Sequence, residues 1–292
     1  MKKIKIGTCV PGHLTFQWGP HLVKAGYECL SLNFHMAYDQ GNMAEFAKKV
    51  LSMLDGTDAG ISSLGFYCNA LQNEEQLRML EQFIDNAKLF KTSLVSTFAG
   101  AVEGECVEAA MPLFKKVFGE LARRAEDNGV KIVFENCPMG GTWQKNTCNI
   151  AFNPRAWEMM FNEVASDSIG LEWEPAHQMI QLIDPIPQLR SWVNKIFHVH
   201  GKDATIDWAD VRRLGILGPN EFSVSRTPGF GDTNWRDIFF ILYQNGYEGN
   251  VCVEGYHDPI YGHEWEMTGQ LHALQYLKWC RGGEFIANPW DC

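Results

Sequence analysis

Four apolar runs in the second half of the chain finish in side chains that bind metals or move protons. VKIVFEN carries Glu135, SIGLEWE ends in Glu174, KIFHVH carries His198 and His200, and GNVCVEG carries Glu254. One glutamate at such a place is ordinarily a solvated loop residue. Four consecutive runs need another account: strands buried on both faces read as apolar runs, and a charge at their ends costs energy unless paired or metal-bound. Three carboxylates and one imidazole form a mostly hard, oxygen-rich donor set. It favours one divalent ion, Mn2+ first and Mg2+ or Co2+ as alternatives, over a structural zinc. Such a site keeps coordination positions open for substrate oxygens.

His198 and His200 stand two apart and therefore face the same side of a strand. His200, nearer the strand end, is expected to be the ligand, and His198 its support or a satisfied core histidine. Lys202 and Asp203 follow where substrate would sit. Lys202 is expected to act on substrate; its bland alternative is a surface ion pair worth little.

The elements that must position these residues alternate from end to end. Strand-like runs at 2–9, 28–35, 59–67, 93–100, 130–136, 168–174, 195–200 and 249–255 are each followed by a helical pattern. The spacing predicts helices at 43–55, 73–90, 107–129, 234–246 and 265–280, with shorter ones after 153 and 184. Eight such units point to a (β/α)8 TIM barrel, whose catalytic groups gather at the C-terminal strand ends. The rival is a doubly wound open sheet, but GTCVPGH after the first strand lacks its glycine fingerprint. The whole of 1–292 is expected to be one barrel domain, with a long loop at 201–232 and a C-terminal tail at 281–292.

Composition narrows the partners. The chain has 292 residues, 46% of them apolar, enough for a sizeable core. Its net charge is −10 without a cluster of Lys or Arg, which disfavours nucleic acid and anionic membrane surfaces. No apolar run approaches the roughly 20 residues that span a bilayer, and MKKIKIGTCVPG reads as a first strand rather than a signal peptide. The nine cysteines form no CxxC pair, so a reduced, cytoplasmic setting is expected. TPGFGD reads as a structural turn more than a phosphate cradle, with Arg226 the guanidinium just ahead of it. A neutral sugar or glycoside is therefore the preferred substrate. Trp18, Trp143, Trp173, Tyr256, Tyr261 and Trp265 lie on or beside strand-end loops, where they would stack on a sugar or flat aglycone, or pack the rim.

FENCP, LEWEPAH, HVHGKDA, TPGFGDTNW and VEGYHDP resemble the xylose-isomerase-like barrels, the sugar phosphate isomerase/epimerase superfamily, over nearly the whole chain. The resemblance implies that Glu135, Glu174, His200 and Glu254 hold one divalent metal. Glu174 departs from the family's usual Asp; its extra methylene adds about an ångström of reach. His177 matches a substrate-side histidine. Glu135 and Glu254 are further expected to handle protons on opposite faces of a sugar. With His177 and Lys202 they form the expected catalytic set, while His13, His35, Trp143, His198, Arg226 and His257 are expected to bind substrate.

This chemistry removes a proton α to a carbonyl and passes through an enediolate. Reprotonation gives an epimer or an aldose–ketose isomer, whereas a neighbouring leaving group gives elimination. The run WEPAHQMIQLIDPIPQLRSWV, FHVHGKDATIDW, RTPGFGDTNW and CRGGEFIANP are similar to catalytic α subunits of bacterial C-glycoside deglycosidases. That similarity implies a lyase acting on 3-oxo-glucosides of plant polyphenols with a small β subunit. A ketose 3-epimerase or aldose–ketose isomerase is the alternative, and a non-catalytic sugar-binding barrel the remote one. A homo-oligomer is compatible with any of them.

Overall fold

The computed structural model describes residues 3–283 and 286–290. The strands are β1 (Lys5–Pro11), β2 (Cys29–His35), β3 (Gly60–Tyr67), β4 (Leu94–Thr97), β5 (Lys131–Glu135), β6 (Ile169–Trp173), β7 (Ile196–Gly201), β8 (Asp203–Ile206), β9 (Ser223–Arg226) and β10 (Asn250–Val253). The helices are α1 (Thr15–Ala25), α2 (Met43–Leu54), α3 (Glu74–Asn86), α4 (Val107–Asp127), α5 (Pro154–Glu163), α6 (Pro175–Met179), α7 (Pro185–Trp192), α8 (Trp208–Leu214), α9 (Trp235–Gln244) and α10 (Glu266–Arg281). Eight parallel strands close a barrel in the order β1-β10-β7-β6-β5-β4-β3-β2. The expected barrel is thus the observed one.

Helix starts follow local chemistry. Asn42 caps α2 by accepting from Glu45 N, Asn73 caps α3, and Asn153 caps α5 just ahead of Pro154. Each side chain satisfies an N–H that the first helical turn leaves open, and proline at the first position loses no bond that the helix needs.

The large apolar core lies between barrel and helices, as with Phe46, Phe83, Phe90, Phe114, Phe118 and Trp157. The barrel interior is different: Ser31, Ser63, Ser96, Cys9, Cys29 and Cys252 are buried there. Ser31 and Ser63 share a hydrogen bond of 2.7 Å, and Ser62 Oγ lies 3.2 Å from Cys252 Sγ. Gly7 makes this layer possible, because a Cβ there would sit 2.5 Å from Cys29 Sγ and 2.6 Å from Cys252 Sγ. Small interior groups leave height in the barrel for the long charged side chains above them.

Two departures from the expected architecture concern the segments at 201–232 and 281–292. The first is more than a loop: β8 and β9 form an antiparallel pair, Asp203 opposite Arg226, with α8 between them. In the second, Arg281 closes α10, buried, with Nη1 donating to Ile4 O at 2.8 Å. Residues 284, 285, 291 and 292 of that tail lie outside the described residues. Among the described residues, no helix is long and apolar enough to cross a membrane.

Asp203 ties the β8–β9 excursion to the barrel. Its carboxylate accepts from Ala204 N (2.9 Å), Thr233 N (3.0 Å), Gly229 N (3.4 Å) and Trp235 Nε1 (3.2 Å), and the residue is fully buried. Asp203→Ala strands these donors without water. Urea denaturation is expected to show a loss of about 3 kcal/mol, with Asp203→Asn losing less.

Candidate metal centre and active site

The barrel's period-two geometry stacks chemical groups in columns. On β6 and just beyond it, Glu172 and Glu174 share a face; on β7, His198, His200 and then Lys202 do the same. Register brings the columns together, with Glu135 opposite Glu172, Glu172 opposite His198, and His200 opposite Cys252. A bulge between Leu171 and Glu172 shifts the β6–β7 register at this point. Such bulges re-aim side chains next to functional sites.

The upper layer is centred on His200 Nδ1. It lies 3.0 Å from Glu135 Oε1, 3.5 Å from Glu174 Oε2 and 3.6 Å from Glu254 Oε2. Lys202 Nζ sits 3.4 Å from Glu174 Oε1 and 3.3 Å from Glu254 Oε2. One turn of α6 brings His177 Nε2 to 3.1 Å from Glu174 Oε1. Donor atoms of Glu135, Glu174, His177 and Glu254 all fall within 4.8 Å of one another. Both Glu174 carboxylate oxygens are buried with no aligned hydrogen-bond partner. Glu135, Glu174 and Glu254 thus crowd three carboxylates near one lysine ammonium. A divalent cation fits this donor set, because it balances the excess charge and occupies the Glu174 oxygens.

Local fields separate the ionisable groups. Burial raises Glu174 well above the usual carboxylate range despite Lys202, and Glu254 adds to the rise. Burial also raises Glu135 against its His200 hydrogen bond. Burial also opposes the charge of the more exposed Glu254, but Lys202, His200 and His257 hold it well below its ordinary value. Burial pushes His177 down, and the Lys202 charge pushes it further, so its ring stays neutral. Burial opposes the Lys202 cation, yet Glu174 and Glu254 hold its pKa up. Neighbouring carboxyls pushed in opposite directions are the pattern of an acid paired with a base.

These groups form the floor of a cavity of about 430 Å3 at the C-terminal strand ends. Its wall includes Phe34, Tyr67, Phe98, Met139 and Tyr256. Met139 and Tyr256 hold positive φ angles of 49° and 54°, backbone strain of the kind that gathers around binding sites. Tyr256 is kept there by its N–H donating to Glu266 Oε2 at 2.8 Å. Larger hollows of 530 and 780 Å3 lie at the opposite strand ends, away from the carboxylates. That face of a barrel serves stability rather than chemistry.

The expected residues divide clearly. Glu135, His177, His200, Lys202, Glu254, His35 and His257 line the cavity, with Glu174 directly beneath. Four others expected at substrate do not line it. His13 is exposed in the turn after β1. Trp143 donates to Glu108 and packs on Phe152. Arg226 Nε turns to Asp258 at 3.3 Å, leaving Ser225 as the residue of β9 that lines the cavity. His198 is sealed below His200, its Nδ1 2.6 Å from Glu172 Oε1. Glu172, Tyr67, Asn33 and Ser225 were not among the expected residues. Only Glu172 carried a legible signal, since it stands two before Glu174 as His198 does before His200.

A closed barrel with a buried carboxylate–histidine floor defines a class, and the chain belongs to it: residues 21–280 match the family described as xylose isomerase-like TIM barrel. An inosose dehydratase of Clostridium tetani (strain Massachusetts / E88) is 27% identical over 166 residues, 56% of this chain and 52% of the relative. The chain thus spans about half the length of the curated relatives it matches first. A xylose isomerase domain protein from Planctomyces limnophilus superposes with a TM-score of 0.70 at 15% identity, covering 96% of this chain and 97% of that one. An apo 3-keto-D-glucoside 4-epimerase from E. coli gives 0.70 at 14% identity, covering 95% and 100%. At these identities the structural likeness shows the fold.

Lys202 supplies the positive charge that keeps Glu174 and Glu254 together. Lys202→Met is expected to cost the chelator-treated protein about 3 kcal/mol in urea denaturation. Added Mn2+ is expected to stabilise the variant more than the wild type. Equal stabilisation of both would show that Lys202 does not balance this site.

Proposed function

We propose that the protein is a divalent-metal-dependent enzyme that removes the proton α to the carbonyl of a keto sugar or glycoside. Its particular reaction is proposed to be β-elimination from a 3-oxo-C-glucoside, as the catalytic α subunit of a C-glycoside deglycosidase. One observation carries the general proposal: His200 Nδ1 faces three carboxylates at a cavity floor where neither Glu174 oxygen has an aligned hydrogen bond. Glu135, Glu174, His200 and Glu254 would hold the ion, Mn2+ being preferred by the oxygen-rich set. When bound, the ion would supply Lewis-acid polarisation of the substrate carbonyl.

Glu254 is the base, because Lys202 and His257 keep it ionised at the cavity floor. It takes the proton from C2, beside the 3-oxo group. The electron pair released forms the C1–C2 double bond, and the bond from C1 to the aglycone carbon breaks. Glu135, whose carboxyl burial raises, returns a proton to the departing carbon. Lys202 presents a fixed positive charge to the oxygen on which negative charge grows, and neutral His177 holds a substrate hydroxyl.

The relatives' names support the shared first step. A dehydratase eliminates and an epimerase reprotonates, and both outcomes follow loss of one proton beside a ketone. The partly exposed ring of Tyr256, beside Tyr67 and Phe98 in the cavity wall, supports elimination of a flat aromatic group, which would stack there. A ketose 3-epimerase is the second proposal, supported by two carboxylates, Glu135 and Glu254, on one cavity.

Incubating the Mn2+-loaded protein with a 3-oxo-C-glucoside in D2O, with and without a candidate small β subunit, separates the two. Free aglycone is the expected product. Deuterium at C2 without aglycone would establish epimerase chemistry, and neither product in any arm would refute both. Glu254→Gln is expected to lower turnover by about 10³-fold, and chelation to abolish it until Mn2+ is returned.

A further inference from the structure

Glu172 lies beneath the cavity and has no assigned part in the chemistry above. Its side chain is fully buried, and its oxygens are well supplied. Oε1 accepts from Ser96 Oγ at 2.7 Å and meets His198 Nδ1 at 2.6 Å, while Oε2 accepts from Tyr67 OH at 2.8 Å. The same Oε1 lies 3.1 Å from His200 Nε2. His200 therefore presents its two nitrogens to two different layers, Nδ1 to Glu135, Glu174 and Glu254, and Nε2 to Glu172.

An imidazole binds a cation through a nitrogen that carries a lone pair, so its proton must sit on the other nitrogen. Nε2 is buried and has no aligned hydrogen-bond partner. Once it carries the proton it needs an acceptor, and Glu172 Oε1 is already within reach. Glu172 itself is a poor candidate ligand. Its carboxylate is held by three other side chains through short hydrogen bonds, whereas Glu174 has only the ionic contacts of His177, Lys202 and His200 and no aligned hydrogen bond.

We propose that Glu172 is a positioning residue that holds His200 as the Nε2–H tautomer, with Nδ1 turned toward the carboxylates, and so sets the affinity of the site for a divalent metal. Ser96, Tyr67 and His198 act through Glu172 by fixing its carboxylate. Carboxylate–histidine–metal arrangements of this kind commonly tune affinity by one to two orders of magnitude. The role rests on the metal site proposed above.

Calorimetric titration of chelator-stripped protein with Mn2+, with the bound ion counted by mass spectrometry, tests it. Wild type is expected to take one ion per chain, and Glu172→Gln one ion about 10- to 100-fold more weakly. Ser96→Ala keeps the carboxylate and removes one of its donors, so it weakens binding in the same direction by less. In Zn2+-loaded protein, NMR should show a downfield, slowly exchanging Nε2 proton on His200 that moves upfield in Glu172→Gln. Unchanged affinity in folded Glu172→Gln would overturn the role while leaving the metal site intact. A count of two ions falling to one would overturn it in favour of a second site built from Glu172, His198 and His200, whose donor atoms lie within 4.8 Å of one another. No binding by wild type would instead sink the metal site itself.

Discussion

Repulsion among buried carboxylates around His200 is the constraint on which the rest of the structure depends. Glu135, Glu174 and Glu254 approach one imidazole nitrogen from three different strand ends, inside a space that excludes most water. Like charges so placed would separate if they stood on loops. Here they are attached at or beside the ends of β5, β6 and β10, which a closed hydrogen-bonded barrel holds at fixed spacing. The barrel resists the separation, and Lys202 reduces the repulsion without removing it. The remaining negative charge is what a divalent cation of the kind proposed above would balance.

The layer below explains how the barrel tolerates this load. Glu172 is as buried as Glu174, yet its surroundings differ entirely. Ser96, Tyr67 and His198 each turn a polar hydrogen or ring nitrogen toward it, and the His200 and His198 rings hold its pKa down despite complete burial. A satisfied carboxylate and an unsatisfied one therefore stand two residues apart on one chain segment. The first belongs to the scaffold and the second to the ligand-binding face. Below both, the serines and cysteines near Gly7 are small enough to let the long side chains descend into the barrel.

Much of this was legible in the sequence, for identifiable reasons. Strand-end polar residues stand out against apolar runs, so Glu135, Glu174, His200 and Glu254 were visible without coordinates. The period of two paired His198 with His200, but it could not say which partner each nitrogen meets. Glu172 was missed although its spacing of two from Glu174 was legible, because inside the run LEWE a charged residue reads as part of the strand end. The hairpin of β8 and β9 was hidden as well: its strands have four residues each, too short for a clear alternation, and Asp203 secures them through bonds to residues 26 to 32 positions away. His13, Trp143 and Arg226 show the opposite error. Proximity to a strand end in sequence does not direct a side chain inward, and each found a nearer polar or aromatic partner or solvent.

The cavity divides recognition from reaction. Its floor carries nearly all the charge, while Phe34, Phe98, Met139 and Tyr256 form much of its wall. Phe34 and Phe98 are themselves buried in that wall, while Tyr256 is partly exposed, and an exposed ring of this kind stacks on a sugar face as well as on a flat apolar group. Binding energy gained at the wall can be used to hold reacting carbons over the charged floor.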